Sequence, residues 1–121
     1  MIAVNLNGVL FVARNAAQRM VRQKDGGAII NMGSINGLMG YPFYASYNSS
    51  KAGVIELTRS MALEFAAGVR VNAVCAGSIL TPVQEAEYTP EMLRECKRKI
   101  PPGPAEQARR GGRALRLPGF R

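Results

Sequence analysis

Two short runs of apolar and β-branched residues, separated by a long helical pattern, constrain the fold of this chain more than any other feature. The first run is AIINM, residues 28–32, and the second is VRVNAV, residues 69–74. Each follows a glycine and has the length of a buried strand. Residues 33–68 separate them, far more than a hairpin needs, so we predict parallel neighbouring strands joined by a helical crossover.

Helical periodicity surrounds both runs. Apolar residues predict a first helix over residues 6–24, which Gly26 and Gly27 would end, and a second helix over residues 46–67 with Gly68 as its C-terminal cap. The second helix is expected to turn the following residues inward: Ala52, Ile55, Met61, Ala62 and Phe65. Thr89 and Pro90 are typical of a third helix start.

The order of these elements predicts an α/β fold, a βαβ unit with flanking helices and a parallel sheet. Two parallel strands alone leave both sheet edges open and make a poor independent sheet. At 121 residues the chain has the length of about one domain. We therefore expect it to correspond to part of a larger sheet.

The net charge of +8 is concentrated at the C-terminal end. Residues 1–96 carry eight Lys/Arg and seven Asp/Glu, whereas residues 97–121 carry eight Lys/Arg and one Glu. The latter segment, KRKIPPGPAEQARRGGRALRLPGFR, is also rich in proline and has little apolar periodicity. Its composition predicts coil or disorder, and its charge allows salt-dependent binding of polyanions.

Composition excludes several kinds of catalytic site. The chain has no histidine, which removes Ser-His-Asp and Cys-His mechanisms, and no cluster of ligands at metal-binding spacing. Cys75 and Cys96 are far apart, and without secretory features we expect them to be reduced. The chain has no leader-like N-terminus and no apolar run of the roughly 18 residues that a membrane span needs, so we expect a cytoplasmic protein with no membrane partner.

Three tyrosines precede a lysine in YPFYASYNSSKAG, residues 41–53. A tyrosine hydroxyl has a pKa of about 10, so proton transfer near neutrality requires a cation that stabilises the phenolate. On a helix such a cation shares the face of the tyrosine when it lies four residues along. Tyr47 has Lys51 at this spacing, whereas Tyr41 and Tyr44 have no lysine there. A surface tyrosine above an unrelated lysine is the alternative interpretation.

Ser34 directly follows the first strand in INMGSINGL, and the turn CAGSILTP follows the second strand. The carboxyl ends of parallel strands lie at one edge of a sheet, where α/β proteins gather ligand-binding groups. We therefore predict that Ser34, the turn and the start of the tyrosine helix converge. A serine that merely belongs to a glycine-rich turn is the alternative for Ser34.

Four segments, in this order and spacing, resemble the C-terminal half of the short-chain dehydrogenase/reductase family, in particular 3-oxoacyl-reductase-like members. They are NLNGVLF, GAIINMGSINGLMG, YASYNSSKAGVIELTRSMALEFA and VRVNAVCAGSILTP, and the resemblance covers residues 1 to about 100. It is specific because a serine thirteen residues before Tyr-x-x-x-Lys, an Arg-Val-Asn strand and a Gly-x-x-x-Thr turn occur together. The resemblance implies a partial Rossmann-like, doubly wound parallel sheet.

The resemblance implies a catalytic tetrad of Asn5, Ser34, Tyr47 and Lys51. Tyr47 would be the general acid in carbonyl reduction and the base in alcohol oxidation, and Ser34 would hold the substrate oxygen. Lys51 would stabilise the phenolate and hydrogen-bond the nicotinamide ribose. Asn5 would hold a water that links Lys51 to solvent, although an asparagine on a helix surface is its alternative interpretation.

The resemblance also implies a nicotinamide cofactor, NAD or NADP. The residues that would contact it are Tyr47, Lys51, Gly77, Ile79 and Thr81. Ala76 stands where the family usually has a proline, so we expect a looser nicotinamide pocket.

Two parts of the chain depart from the family pattern. The family's Gly-rich phosphate-binding turn precedes the tetrad asparagine, and no such turn occurs in the four residues before Asn5. We therefore expect a truncated NAD(P)-dependent oxidoreductase, inactive alone, whose intact relatives act on small alcohols or carbonyls. Residues 1–100 would form the C-terminal portion of the domain. The second departure is the basic segment 101–121, which would be a disordered or frame-shifted tail.

Two alternatives have no catalytic role. The chain could associate with full-length relatives, or bind polyanions through its basic tail, although no specific nucleic-acid module precedes that tail. The resemblance implies homo-oligomers, and we expect self-association or aggregation through the helices over residues 6–24 and 46–67.

Overall fold

The computed structural model describes residues 1–23, 25–77, 79–80, 88–99 and 106–107. It divides into two units, Met1–Cys75 and Ala76–Arg121. The first unit contains a π-helical turn Ala3–Gly8, helix α1 Val9–Arg22, strand β1 Gly27–Ser34, a 3-10 turn Ile35–Gly37 and helix α2 Ala45–Glu64, and strand β2 Val69–Ala76 begins in it. The second contains strand β3 Ile79–Leu80, helix α3 Pro90–Lys99 and strand β4 Glu106–Gln107.

Strands β1 and β2 are hydrogen-bonded neighbours that run in the same direction. At their starts, Gly27 N donates to Gly68 O at 3.0 Å. At their ends, a Cβ built on Gly33 would lie 3.4 Å from Val74 O. Because starts meet starts and ends meet ends, the pair is parallel and α2 is its crossover, which confirms the predicted βαβ unit.

One apolar core joins the elements of the first unit. Its buried members come from α1, β1, α2 and β2, namely Ala13, Ala17, Ile29, Met61, Val69 and Val71. Leu57 and Phe65 pack against this cluster. Both helices therefore pack against the two-stranded sheet. The small alanines of α1 allow that helix to approach the sheet closely.

Helix α1 is shorter than the predicted helix over residues 6–24. Its first part is instead the π-helical turn Ala3–Gly8, and α1 ends at Arg22 because Gln23 adopts extended backbone angles. Lys24 lies outside the described residues. Gly26 has a φ of 67°, and a Cβ at this position would lie 2.2 Å from Gly68 O, so only glycine fits this turn.

Helix α2 differs from prediction at its end and on its buried face. It ends at Glu64 with Phe65 as C-cap, so Gly68 is not the cap as predicted; Gly68 instead directly precedes β2 and accepts a hydrogen bond from Gly27 N. Ala52 is exposed, contrary to prediction. The buried residues of α2 are Ser50, Val54, Ile55, Thr58 and Met61. The two polar members are tolerated inside because their hydroxyls donate to carbonyls one helical turn earlier.

Both long strands extend beyond the predicted runs: β1 also includes Gly27, Gly33 and Ser34, and β2 also includes Cys75 and Ala76. In the second unit, Thr89 Oγ1 accepts the N–H of Met92 at 3.3 Å, which confirms the predicted start of α3. Strand β3 pairs in parallel with β4. Of the predicted disordered tail, residues 101–121, only Glu106–Gln107 are described, and they form this short strand. The rest of that prediction lies outside the described residues.

No helix in the described part of the chain has the length and apolar character that a membrane crossing requires.

Candidate functional site

Tyr47 and Lys51 lie on the first two turns of α2, and both are half-buried. Lys51 Nζ is 5.8 Å from the centroid of the Tyr47 ring. The same ammonium donates to Met32 O, near the end of β1, at 2.9 Å. The spacing of four residues places the two side chains together, as predicted, and the strand carbonyl holds the cation at the carboxyl end of the sheet.

Ser34 is the last residue of β1 and is 6% exposed. Its Oγ accepts the backbone N–H of Asn36 at 3.2 Å, and its hydroxyl donates to Asn36 Oδ1 at 3.4 Å. Ser34 is thus the N-cap of the 3-10 turn that connects β1 to the loop before α2. The structure places it at the strand end where the sequence predicted it.

Asn5 lies in the π-helical turn and contacts α2 rather than Lys51 directly. Its Nδ2 is 3.5 Å from Ser50 Oγ, and Ser50 Oγ donates to the backbone carbonyl of Tyr47 at 2.7 Å. Ser50 is fully buried. Asn5 therefore reaches the backbone of Tyr47 through one intervening side chain, and the predicted water link to Lys51 stays a prediction.

Two asparagines near the site were not singled out from the sequence. Asn36 Nδ2 donates to Asn48 Oδ1 at 2.9 Å, and Asn48 Nδ2 donates to Tyr41 O at 2.9 Å. Asn48 follows Tyr47 and Asn36 lies two residues after Ser34. Their positions next to the two predicted catalytic residues are the signal that could have identified them, but the sequence alone does not indicate that their amides meet.

The residues predicted to line the cofactor beyond the tetrad belong to the second unit. Gly77 is exposed and follows β2, and a Cβ built there would meet nothing within 4 Å. Ile79 lies in β3, opposite Glu106 of β4. Thr81 lies outside the described residues. The cofactor roles of these three residues stay predictions.

The described residues include no group of three or more His, Cys, Asp or Glu side chains placed to hold a metal ion. Cys75 is a free, half-buried thiol near the end of β2. The side chains at this sheet edge that can exchange a proton with an oxygen atom include the Tyr47 phenol, the Lys51 ammonium and the Ser34 hydroxyl. Such a set can transfer a proton to or from an oxygen atom.

Two aromatic residues, Phe43 and Tyr44, precede Tyr47 at the start of α2. Tyr44 packs edge to face on Tyr47, with ring centroids 6.5 Å apart. Tyr44 is the N-cap of α2 and is 43% exposed. Phe43, which precedes it, has a φ of 69° and a fully exposed side chain. Tyr44 therefore contacts the same tyrosine ring that has Lys51 Nζ 5.8 Å from its centroid.

Comparison with known proteins identifies the family of the chain. The family model of the short chain dehydrogenases matches residues 1–91. The 3beta-hydroxysteroid dehydrogenase 1 of Eggerthella lenta is 40% identical over 104 residues, which are 84% of this chain and 40% of that protein. The chain thus spans less than half the length of this curated relative.

Solved structures share the fold. The crystal structure of gox2181 is 32% identical with a TM-score of 0.86, covering 94% of this chain and 46% of that one. An NAD+-bound xylitol dehydrogenase is 31% identical with a TM-score of 0.65, covering 69% of this chain and 32% of that one. With a family model matched over residues 1–91 and an α/β parallel sheet of the same fold, the chain belongs to the short-chain dehydrogenase/reductase family.

Proposed function

We propose that this chain carries the acid–base half of an NAD(P)-dependent oxidoreductase that interconverts a small alcohol and a carbonyl compound. The observation that supports it most is the position of Lys51, whose Nζ is 5.8 Å from the Tyr47 ring centroid and bonded to Met32 O. Proton transfer by a tyrosine near neutrality requires a nearby cation that stabilises the phenolate, and Lys51 is a cation beside the Tyr47 ring.

In the proposed reduction, Tyr47 Oη donates a proton to the substrate carbonyl oxygen, and in oxidation the phenolate takes the alcohol proton. Ser34 Oγ donates a hydrogen bond to the same oxygen and orients it toward Tyr47. Lys51 compensates the negative charge that develops on the phenol oxygen. A nicotinamide, when bound, supplies or accepts the hydride at the substrate carbon.

The donors of the site fit a nicotinamide riboside. Lys51 has three N–H donors, and its bond to Met32 O uses one of them. A ribose diol offers the acceptors that the others need. We assign Tyr47 and Lys51 to this part of the cofactor, and Gly77, Ile79 and Thr81 to its carboxamide side. NAD and NADP differ at the adenosine ribose, which these residues do not contact.

Asn5 is proposed as the fourth member of the tetrad, acting through the helix rather than on the substrate. Its contact with Ser50, and the bond from Ser50 to Tyr47 O, connect the π-helical turn to the backbone of the catalytic tyrosine. This contact supports a role for Asn5 in fixing the start of α2.

A chimeric enzyme tests the role of Tyr47. Residues 1–91 would replace the aligned segment of the Eggerthella lenta 3beta-hydroxysteroid dehydrogenase 1, and NAD(P)-dependent turnover would be measured. We expect Tyr47→Phe to lower kcat at least about a hundredfold, because general acid–base catalysis contributes about 10²–10⁴-fold. Tyr44→Phe is the matched control and is expected to keep most activity. A Tyr47→Phe chimera as active as its parent would contradict the proposal.

The 121 residues by themselves are proposed to be inactive. They contain no Thr-Gly-x-x-x-Gly-x-Gly turn, the glycine-rich turn by which the family would hold a pyrophosphate at a helix N-terminus. We expect fluorescence titration of the purified chain with NADH and NADPH to show no saturable binding. The intact Eggerthella relative, titrated in parallel, is the positive control, and saturable binding to the 121-residue chain would refute this part.

We also propose that the chain self-associates through the exposed apolar side chains of α1. Phe11 and Val12 are 60% and 72% exposed on this helix. Two neighbouring side chains of this size in solvent favour association because burying them removes apolar surface from water.

A further inference from the structure

A short network of side-chain amides joins the strand that carries Ser34 to the helix that carries Tyr47. Asn36 Nδ2 donates to Asn48 Oδ1, and Asn48 Nδ2 donates to Tyr41 O, both at 2.9 Å. We call Asn36 and Asn48 the asparagine bridge. Both residues are half-buried. The bridge spans the loop between the 3-10 turn and α2, a loop that no regular backbone pairing fixes in the described residues.

The direction of every hydrogen bond in the bridge follows from its end at Tyr41. A backbone carbonyl can only accept, so the amide of Asn48 must turn its Nδ2 toward Tyr41 O. The Oδ1 of Asn48 then faces Asn36, and because this oxygen can only accept, Asn36 must donate to it through its own Nδ2. The Oδ1 of Asn36 is consequently the atom that faces Ser34, as the structure has it.

This order determines how the Ser34 hydroxyl is presented. The N–H of Asn36 occupies one of the two lone pairs of Ser34 Oγ, and Asn36 Oδ1 accepts the hydroxyl proton, so Asn36 both donates to this hydroxyl and accepts from it. Its proton points to Asn36 Oδ1 at 3.4 Å, longer than the 2.5–3.0 Å usual for O–H···O bonds. A bond of this length is weak and can be exchanged for a stronger one to a substrate oxygen.

We propose that Asn36 and Asn48 are positioning residues of the reaction. They hold the Ser34 hydroxyl as a donor and fix it relative to the first turns of α2, where Tyr47 lies beside Asn48. This inference rests on the proposed function, since it concerns the presentation of Ser34 to a substrate oxygen. The geometric part, a bridge that orders Ser34 through Asn48, can be tested without any turnover.

The first test uses residue-resolved amide hydrogen exchange of the full 121-residue chain by NMR. The reporter is the Asn36 backbone N–H, whose acceptor is Ser34 Oγ; Ser34→Ala confirms that assignment by removing its protection. We expect Asn48→Ala to lower protection at Asn36 about five- to tenfold, the effect of losing one hydrogen bond. The amide of Val69, bonded to Phe65 O at the far end of α2, serves as the internal reference.

Two further variants test the direction of the hydrogen bonds and provide a control. Asn48→Asp keeps the acceptor for Asn36 but cannot donate to Tyr41 O, and a carboxylate on the first turn of α2 is favourable for the helix. We expect it to lower protection at Asn36 as well, because the direction of the bridge is no longer fixed. Ser49→Ala, an exposed neighbour, should change nothing.

Unchanged protection at Asn36 in Asn48→Ala and Asn48→Asp overturns the inference. An equal loss at Asn36 and Val69 in both variants overturns it too, because Asn48 would then stabilise the whole unit and not Ser34. Loss at Asn36 with Val69 unaffected supports it.

Kinetics of the chimera described above separate this inference from the proposed function. Asn48→Ala should lower kcat about tenfold or more and leave the KM for NAD(P)H unchanged, because a misplaced Ser34 affects the reacting oxygen and not cofactor binding. If Tyr47→Phe abolishes turnover while Asn48→Ala leaves kcat unchanged, the inference fails and the proposed function stands. If Tyr47→Phe remains active, the proposed function fails, and with it the reaction that the bridge would serve.

Discussion

Asn31 and Thr58 bring a polar pair into the interior of the first unit. Asn31 is 6% exposed on β1 and Thr58 is 5% exposed on α2. Asn31 Nδ2 donates to Thr58 Oγ1 at 2.9 Å, and Thr58 Oγ1 donates to Val54 O at 2.7 Å. Among the described residues, no buried side-chain nitrogen or oxygen lacks a hydrogen-bond partner. The bond from Asn31 to Thr58 joins the two elements and therefore fixes how α2 lies on β1.

This pair leads to a prediction at the residue scale. Thr58→Val keeps the shape of the side chain but leaves Asn31 Nδ2 buried without its acceptor, which should cost about 1–3 kcal/mol of unfolding free energy. Urea denaturation followed by circular dichroism measures it. Thr58→Ser keeps the hydroxyl and should cost about 0.8 kcal/mol, the value of one methylene.

The double variant Asn31→Val/Thr58→Val provides the check. Removing both partners leaves no unsatisfied donor, so the double variant should be more stable than Thr58→Val alone. A Thr58→Val chain as stable as the wild type would show that the bond does not matter.

At the element scale, the 3-10 turn Ile35–Gly37 lies directly against α2. A Cβ built on Gly37 would lie 2.6 Å from the backbone carbon of Lys51 and 2.8 Å from Ala52 N. Only glycine allows this approach without a shift of the backbone. The contact sets the distance between the strand end that carries Ser34 and the helix that carries Lys51.

Gly37→Ala is therefore expected to lower the free energy of unfolding by about 1–3 kcal/mol, the usual cost of overpacking. Gly40→Ala is the matched control in the same loop, because a Cβ there meets nothing within 4 Å, and it should change stability by at most about 0.5 kcal/mol. Both are measured by urea denaturation. Equal stability of the two variants would contradict the close contact.

The element boundaries show where local patterns are sufficient. The predicted strands, the crossover helix and the Thr89 start of α3 are all present, since apolar periodicity and capping residues act over a few neighbouring positions. The inward position of Ala52 and the cap at Gly68 were wrong. Both errors arose because the contacts of α2 with β1 and β2, not its own composition, decide which face is buried and where the helix stops.

At the scale of the whole molecule, we predict that the purified chain self-associates in a concentration-dependent manner. Phe11→Glu/Val12→Glu should shift the sedimentation coefficient toward that of a monomer, because charge on the exposed face of α1 opposes its burial. Gln18→Glu, an exposed polar position on the same helix, is the control and should leave association unchanged. A double variant that sediments as the wild type would place the contact elsewhere.

The sequence by itself determined the βαβ order, the parallel sheet and the pairing of Tyr47 with Lys51, because each depends on periodicity or on a fixed spacing within one element. It also placed Ser34 at a strand end. Only the tertiary structure decided the partners of the polar side chains: Met32 O for Lys51, Ser50 for Asn5 and Asn48 for Asn36. Those partners lie 12 to 45 residues away along the chain, and a hydrogen bond over such a separation depends on how the elements pack.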